Sequence, residues 1–318
     1  MKLPPLNALP VFEAVARLNS FSRAGEELNV SQSAVSHQIK GLEHYLGEKL
    51  FERNGRYLAL TEEGKIYLEG ITSALLQIER VSGQVLGREE SQLRLSVFSS
   101  FAVRWLVPRL PDLQRNHPGL ELVVEMTSES PVLSDRVADC FITLNSQLKA
   151  FSYDVLYHES LFPVCSRQFW QTLSRDLNLN DDPSAGDSAV SADQLAAYPL
   201  LSTHSIFGRH AGDWEAWYGA VGQSIPSSAR VQHFSHMLLA LEAARFHQGI
   251  SLTNDYMLSN RSDAGDFVRV PCHAFETGDT FYFAYKSSRR AEPGIRTLRR
   301  WLISEAIRSG LREEVSPG

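Results

Sequence analysis

The sequence predicts an α+β chain of several domains. A winged helix-turn-helix over residues 1–60 comes first, then a linker helix with a hinge over 61–90, then an α/β half over 91–318. Three observations predict it. Short helical patterns broken by turn residues fill the first 60 positions, one mostly unbroken helical pattern runs through 61–88, and from Leu93 onward strand-like and helix-like segments alternate. A length of 318 residues suits about two domains at roughly 150 residues each, and 43% hydrophobic against 21% charged residues is a globular composition.

Leu6, Leu9, Phe12, Val15, Ala16 and Leu18 recur at helical spacing and predict a first helix. Ser22 is a candidate cap for a second, short helix running to Leu28, and Ser31 for a third from Gln32 to Leu46. Along the third, Val35, Ile39, Leu42 and Leu46 form one stripe. The opposite face then carries Ser33, His37, Lys40 and His44, with Ser36 on its flank and no Asp. A short helix, a tight turn at Leu28–Ser31 and a helix with a hydrogen-bonding outer face make a helix-turn-helix. Such a helix fits the major groove, where hydroxyl and imidazole groups can read base edges. Residues 50–60 read as a hairpin turning at Asn54-Gly55, with Arg53 and Arg56 placed as a wing would place them for phosphate or minor-groove contact. The alternative is a small helical protein-binding module, since seven Lys and Arg against six Glu leave residues 1–60 at only +1.

Thr61 can cap a helix in which Ile66, Ile71, Leu75, Ile78, Val81 and Val85 form an apolar stripe. A second copy of the chain would cover such a stripe, and so would the helix's own domain. Gly87–Ser91 reads as the hinge. In the α/β half, Leu93–Phe98 alternates as a strand and leads through Ser99-Ser100 into a helix around 102–116. A second strand, 120–125, ends at Thr127-Ser128. Ligands of such sheets bind at the carboxyl ends of strands, where helix N-termini suit a carboxylate. Ser99, Ser100, Thr127 and Ser128 are therefore candidate ligand contacts, with helix capping as the plain alternative. Residues 176–193, with five Asp among Ser, Ala and Gly, read as a solvated loop. Trp214 and Trp217, at helical spacing, read as core, with a stacking surface as the sharper option. The basic cluster Lys286–Arg300 reads as a solvated helix face rather than a second DNA site.

Several functions lack their parts. No run approaches the roughly 18 apolar residues of a membrane span, and Met1–Pro5 continues into prolines rather than an apolar segment, so a cytoplasmic protein without a membrane partner is expected. Three scattered cysteines exclude a disulfide framework and a four-thiolate zinc site. His233-x-x-His236 has no further ligand at a matching offset, and there is no G-x-S-x-G, P-loop or G-x-G-x-x-G. No cofactor, metal or catalytic residue is therefore expected.

The runs Phe21–Ala24, Leu28–Lys40, Leu42-Glu43, Leu46-Gly47, Leu50–Arg53 and Leu60–Gly64 together resemble the N-terminal signature of LysR-type transcriptional regulators. Residues 101–110, 198–204 and 213–217 look like the branch that includes the glycine-cleavage and D-serine-deaminase regulators. The resemblance implies an effector domain shaped like a periplasmic solute-binding protein. Its subdomain I would span about 91–165 and 267–318, and subdomain II about 166–266. It also implies DNA binding through Ser22, Gln32, Ser33, Ser36, His37, Lys40, Arg53 and Arg56. Many members carry Pro in place of Ser33 and Arg in place of His37. Effector contacts are expected at Ser99, Ser100, Thr127, Ser128, Thr203, His204 and Phe234. The partners implied are double-stranded promoter DNA, an amino acid or small carboxylate, a second copy of the chain in a dimer or tetramer, and RNA polymerase as a candidate. The alternative is a small-molecule-converting enzyme with a DNA-binding appendage.

Overall fold

The computed structural model of the chain describes residues 3–54, 57–85, 92–183, 189–204, 207–259 and 265–314. Two compact units divide it, Met1–Glu90 with Leu133–Ala138, and Ser91–Val132 with Asp139–Gly318.

In the first unit, α1 (Ala8–Leu18), α2 (Phe21–Glu27) and α3 (Gln32–Leu46) precede a hairpin of β1 (Phe51–Asn54) and β2 (Tyr57–Leu60) and the helix α4 (Glu62–Val85). The side chain of Ser20, not Ser22, caps α2 by accepting from the Arg23 N–H; Ser22 lies one position inside the helix and is exposed. Ser31 caps α3 as expected, accepting from Ala34, and Gly47 ends that helix in the left-handed region at φ 77°. Phe12, Val15, Ala24, Val35, Ile39, Leu42, Leu50 and Leu68 make one core. Leu6, expected on the first helix, precedes it and is exposed. Glu43, on the flank of α3, is buried and accepts from the Leu50 N–H at 3.0 Å and Lys49 Nζ at 2.8 Å, which fixes the wing to the helix. The hairpin's last described pair is Asn54 with Tyr57; Gly55 and Arg56 lie outside the described residues.

Thr61 caps α4 through the Gly64 N–H. The single apolar stripe expected along α4 is in fact divided between two faces. Leu68 is fully buried and Tyr67, Ile71 and Leu75 pack on the unit's own core, whereas Ile66 and Ile78 are 74% and 61% exposed. The expected hinge, 87–91, lies outside the described residues.

The second unit is built on a nine-stranded sheet whose strands lie side by side in the order 122–127, 93–98, 140–143, 275–286, 151–166, 250–253, 200–203 and 231–234, with 267–269 pairing 151–166 off that path. In chain order, β3 (Leu93–Phe98) leads into a helical run of α5 (Ser99–Phe101), a π turn (Ala102–Leu106), a 3-10 turn (Val107–Arg109) and α6 (Leu110–Asn116). The single helix expected here is segmented because Pro108 and Pro111 remove backbone donors. Strand β4 (Leu122–Thr127) pairs parallel with β3 and begins two residues later than expected; β5 (Cys140–Thr143) flanks β3 on its other side.

The long strand β6 (Phe151–Ser166) is followed by α7 (Arg167–Asp176), α8 (Ala192–Leu195), β7 (Leu200–Thr203), α9 (Gly212–Gly219), β8 (Val231–Phe234), α10 (Met237–Arg245), β9 (Ile250–Thr253) and α11 (Asp255–Leu258). Strands β10 (Phe267–Arg269) and β11 (Phe275–Lys286) then lead to α12 (Pro293–Arg308). The first part of β6 pairs β11, and its end pairs β9 and β10. Two lobes therefore share one strand.

One core, around Leu95, Phe101, Trp105, Ile142, Phe283 and Leu298, fills the first lobe and continues into α10 and α11. A second holds Trp170, Trp214, Trp217 and Tyr218, so the two α9 tryptophans are core and not a stacking surface. Segment 176–193 is held more firmly than the solvated loop expected. Trp170 Nε1 donates to the Asp181 carbonyl at 2.8 Å, the Ser174 hydroxyl to Asp181 Oδ1 at 2.9 Å, and a capping box at Ser191/Gln194 starts α8; residues 184–188 lie outside the described ones. The C-terminal basic cluster is divided. Arg289 is buried against Asp139 and Glu292, Arg299 pairs with Asp154, and Arg290, Arg296 and Arg300 are exposed. Among the described residues no helix is long and apolar enough to cross a membrane.

Two glycines of the first unit give a matched prediction. A Cβ on Gly25 would stand 2.7 Å from the Val30 carbonyl, in the turn between α2 and α3, whereas a Cβ on Gly41 in α3 meets nothing within 4 Å. Gly25→Ala should destabilise the unit by about 1–3 kcal/mol, and Gly41→Ala should stabilise it by roughly 0.5–1 kcal/mol. Native-state hydrogen exchange of the α1–α3 amides would read both, and equal effects would refute this packing of the turn.

Candidate functional site

Two surfaces gather the predicted site residues, one in each unit. On α3 the apolar stripe Val35, Ile39 and Leu42 is buried, which leaves Gln32, Ser33, His37 and Lys40 exposed and Ser36 half-buried. The Ser33 hydroxyl lies 2.9 Å from that of the cap residue Ser31 and is therefore partly engaged within the turn. Arg53 lies on β1, its backbone opposite Leu58. The outer face of α3 offers amide, hydroxyl, imidazole and ammonium donors, the groups that read base edges and phosphates.

In the second unit a cavity of about 580 Å³ opens between the lobes. Of the residues expected as ligand contacts, Ser99, Ser100, Ser128 and His204 line it, whereas Thr127, Thr203 and Phe234 are not among its lining residues. The Thr127 hydroxyl donates to the Glu129 carbonyl at 2.6 Å. Thr203 is buried with its N–H given to Asp213, and Phe234 packs on the core while its carbonyl accepts from the His204 N–H. Only three residues of α-helix follow Phe98, and the Ser100 hydroxyl is hydrogen-bonded to that of Tyr256 at 3.0 Å.

The cavity's charged residues escaped the sequence reading. Glu129, Glu159 and Asp279 line it, together with His236 and the apolar Phe98, Leu144, Met237 and Phe281. Glu159 is 6% exposed; Asn254 Nδ2 donates to its Oε1 at 2.7 Å and the Thr277 hydroxyl to its Oε2 at 3.2 Å. Burial, and then the nearby Asp279 charge, push this carboxyl up to about 7 against the opposing Asn254 and Thr277 hydrogen bonds. Burial also raises Asp279. No signal local to residue 159 could have found this group, because its partners come from residues 254, 277 and 279. Among the described residues no group of three or more His, Cys, Asp or Glu side chains is arranged to hold a metal ion.

A helix-turn-helix with an open donor face, followed by a two-lobed α/β unit around a cavity, defines a DNA-binding protein equipped to take a small ligand. The family model of the bacterial regulatory helix-turn-helix protein, lysR family, matches residues 6–65, and that of the LysR substrate binding domain matches residues 86–306. The glycine cleavage system transcriptional activator of Escherichia coli K12 is 34% identical over 96% of this chain and 95% of that protein. The HTH-type transcriptional activator AmpR of Providencia stuartii is 33% identical over 95% of this chain and 96% of that protein. Among solved structures, ArgP from Mycobacterium tuberculosis superposes with a TM-score of 0.67 at 20% identity, covering 96% of this chain and 98% of that one. Full-length LysG from Corynebacterium glutamicum with bound effector Arg superposes at 0.64 and 18% identity, covering 96% and 99%. The chain belongs to the LysR family of transcriptional regulators, with a DNA-binding helix-turn-helix and an effector-binding domain.

The raised Glu159 carboxyl sets a pH-dependent stability. The folded chain holds its proton up to about pH 7, whereas a free Glu releases it near 4.5, so folding takes up a proton between those values. The cost of ionising this buried group therefore grows as pH rises through that window and is complete above it, at most about 3 kcal/mol. Glu159→Gln should raise the thermal midpoint at pH 8 and leave it unchanged near pH 4.5. Equal midpoints of the two proteins at pH 8 would show that Glu159 ionises without penalty.

Proposed function

We propose that the chain is a sequence-specific promoter-binding regulator that acts as a dimer or tetramer and responds to an amino acid or small carboxylate. The observation that carries the DNA-binding reading is the α3 face, where Gln32, Ser33, His37 and Lys40 stand exposed over a fully buried stripe. In this reading Gln32, Ser33, Ser36 and His37 contact base edges, Ser22 and Lys40 contact phosphates, and Arg53 and Arg56 contact the duplex from the wing. The exposed Ile66 and Ile78 on α4 support pairing with a second chain, which would present two half-sites to a two-fold operator.

The cavity supports the effector reading. The hydroxyls of Ser99, Ser100 and Ser128 supply directed hydrogen bonds beside apolar walls, and the volume lies in the roughly 300–1,000 Å³ range of small-molecule sites. A bound ligand would shift the regulator between states only by its differential affinity for them. RNA polymerase is a further partner in this reading. The relatives' names as transcriptional activators favour a regulator over an enzyme.

Selection of bound duplexes from a random-sequence pool would give the operator, against which variants can be measured. His37→Ala and Ser36→Ala should each weaken operator binding by about 1–3 kcal/mol while leaving binding to unrelated duplex unchanged. Lys40→Ala should weaken both alike and reduce the salt dependence by about one unit of slope. Unchanged discrimination in the first two variants would remove α3 as the reading helix.

A further inference from the structure

Glu159 is a buried acid that meets no counter-charge among the described residues. It is 6% exposed, its two hydrogen-bond donors are the neutral Asn254 amide and Thr277 hydroxyl, and it lines the cavity. Among the described residues no cation pairs with it, nor with Asp279 or Glu129, the other two acids on the cavity wall. No Lys or Arg among the described residues lines the cavity. A buried carboxylate of this kind is costly unless a positive group meets it. Elsewhere in the same unit the chain supplies one: Asp139, equally buried, holds Arg289 at 2.9 Å. At Glu159 the space where such a cation would stand is the cavity.

We infer that the effector carries an ammonium or comparable cationic group, received by Glu159 with Asp279, and that a plain carboxylate of the same skeleton is not the ligand. This rests on the reading of the cavity as the effector site and narrows it. The two ends of the wall then divide the labour. Glu159 and Asp279 take the cation, while Ser99, Ser100 and Ser128 are left to hydrogen-bond a neutral or anionic oxygen.

The inference has a pH consequence. A cation must find Glu159 ionised, and this carboxyl holds its proton up to about 7 in the free protein. Binding should therefore release a proton and be roughly tenfold weaker at pH 6 than at pH 8. Other titratable groups surround the site: Tyr157 on β6, whose hydroxyl donates to Asp255 on α11, and, lining the cavity, Tyr256, Asp279, Glu129, His204 and His236. Protonation of either histidine would act in the same direction, so the slope belongs to Glu159 only if Glu159→Gln flattens it.

The test is thermal unfolding and calorimetric titration of the full chain with matched triplets. Each comprises an amino acid, the acid lacking its amino groups, and the amine lacking its carboxylate: phenylalanine, 3-phenylpropionate and phenethylamine; lysine, hexanoate and cadaverine; leucine, 4-methylpentanoate and isoamylamine. The expected result is binding by at least one amino-bearing member, at least tenfold tighter than its deaminated counterpart, with the preference lost in Glu159→Gln and reduced in Asp279→Asn. A deaminated acid that binds as well as its amino parent overturns the inference and leaves the cavity as an effector site. Binding by neither series, at pH 8 and millimolar concentration, overturns the inference together with the effector reading on which it rests. The wild-type comparison stands even where a variant fails to fold.

Discussion

The second unit depends on one strand serving two lobes. Over Phe151–Leu161, β6 is paired antiparallel with β11, and over Phe162–Ser166 it is paired with β9 and β10. The β6–β11 register breaks between Glu276 and Thr280, opposite Ser160 and His158, and Glu159 lies in that break. Its carboxylate accepts from Asn254, the cap of α11 in one direction, and from Thr277 on β11 in the other. A side chain at a ladder irregularity need not follow the strict alternation of a strand, which frees it to point at ligand space. The place where the lobes meet is thus also the place where the cavity acquires a charged wall.

The aromatic packing around that junction keeps it rigid. Phe101, Tyr157, Tyr256 and Phe281 form a closed set of ring contacts with centroids 5.1–5.9 Å apart, and Tyr256 and Phe281 also line the cavity. The π turn at Ala102–Leu106 follows directly on Phe101, and Arg104 on it donates to the Met257 carbonyl of α11. The cavity wall is therefore backed by side chains from β6, α5, α11 and β11, elements spread between residues 99 and 286 of the sequence.

That separation explains what could be read from the chain alone. Periodicity and capping are local, and they found α3 with its Ser31 cap, the wing strands and β3 with the residues the structure gives them. The exposed α3 face follows from the same local geometry, since knowing that Val35, Ile39 and Leu42 point inward fixes where Gln32, His37 and Lys40 point. Ser99, Ser100 and Ser128 were reachable because strand ends in α/β sheets are privileged positions. Glu159, Tyr256 and Asp279 were not, since nothing near each in sequence announces the other two. Local reasoning also misled where a residue's nearest neighbours compete for it. Thr127 spends its hydroxyl on its own turn, Ser20 displaces Ser22 as the cap, and α4 divides its apolar residues between two faces.

The two buried acids of the second unit show why the missing counter-charge is informative. At Asp139 burial works to raise the carboxyl, yet the Arg94 N–H, the Arg289 charge and the Arg94 charge together hold it below the ordinary range. That carboxylate is ionised, hydrogen-bonded and matched by a guanidinium that also grips Glu292, which makes it scaffold. At Glu159, among the described residues, burial is met by the neutral donors of Asn254 and Thr277, and the neighbouring charge, Asp279, is of the same sign. A protein that supplies an arginine to one buried acid could have supplied one to the other, and a Gln at position 159 would have removed the cost of ionisation while still accepting a hydrogen bond. An ionisable group kept at such a cost, in contact with an open cavity and on the strand shared by both lobes, stands where an arriving cation would change the local charge.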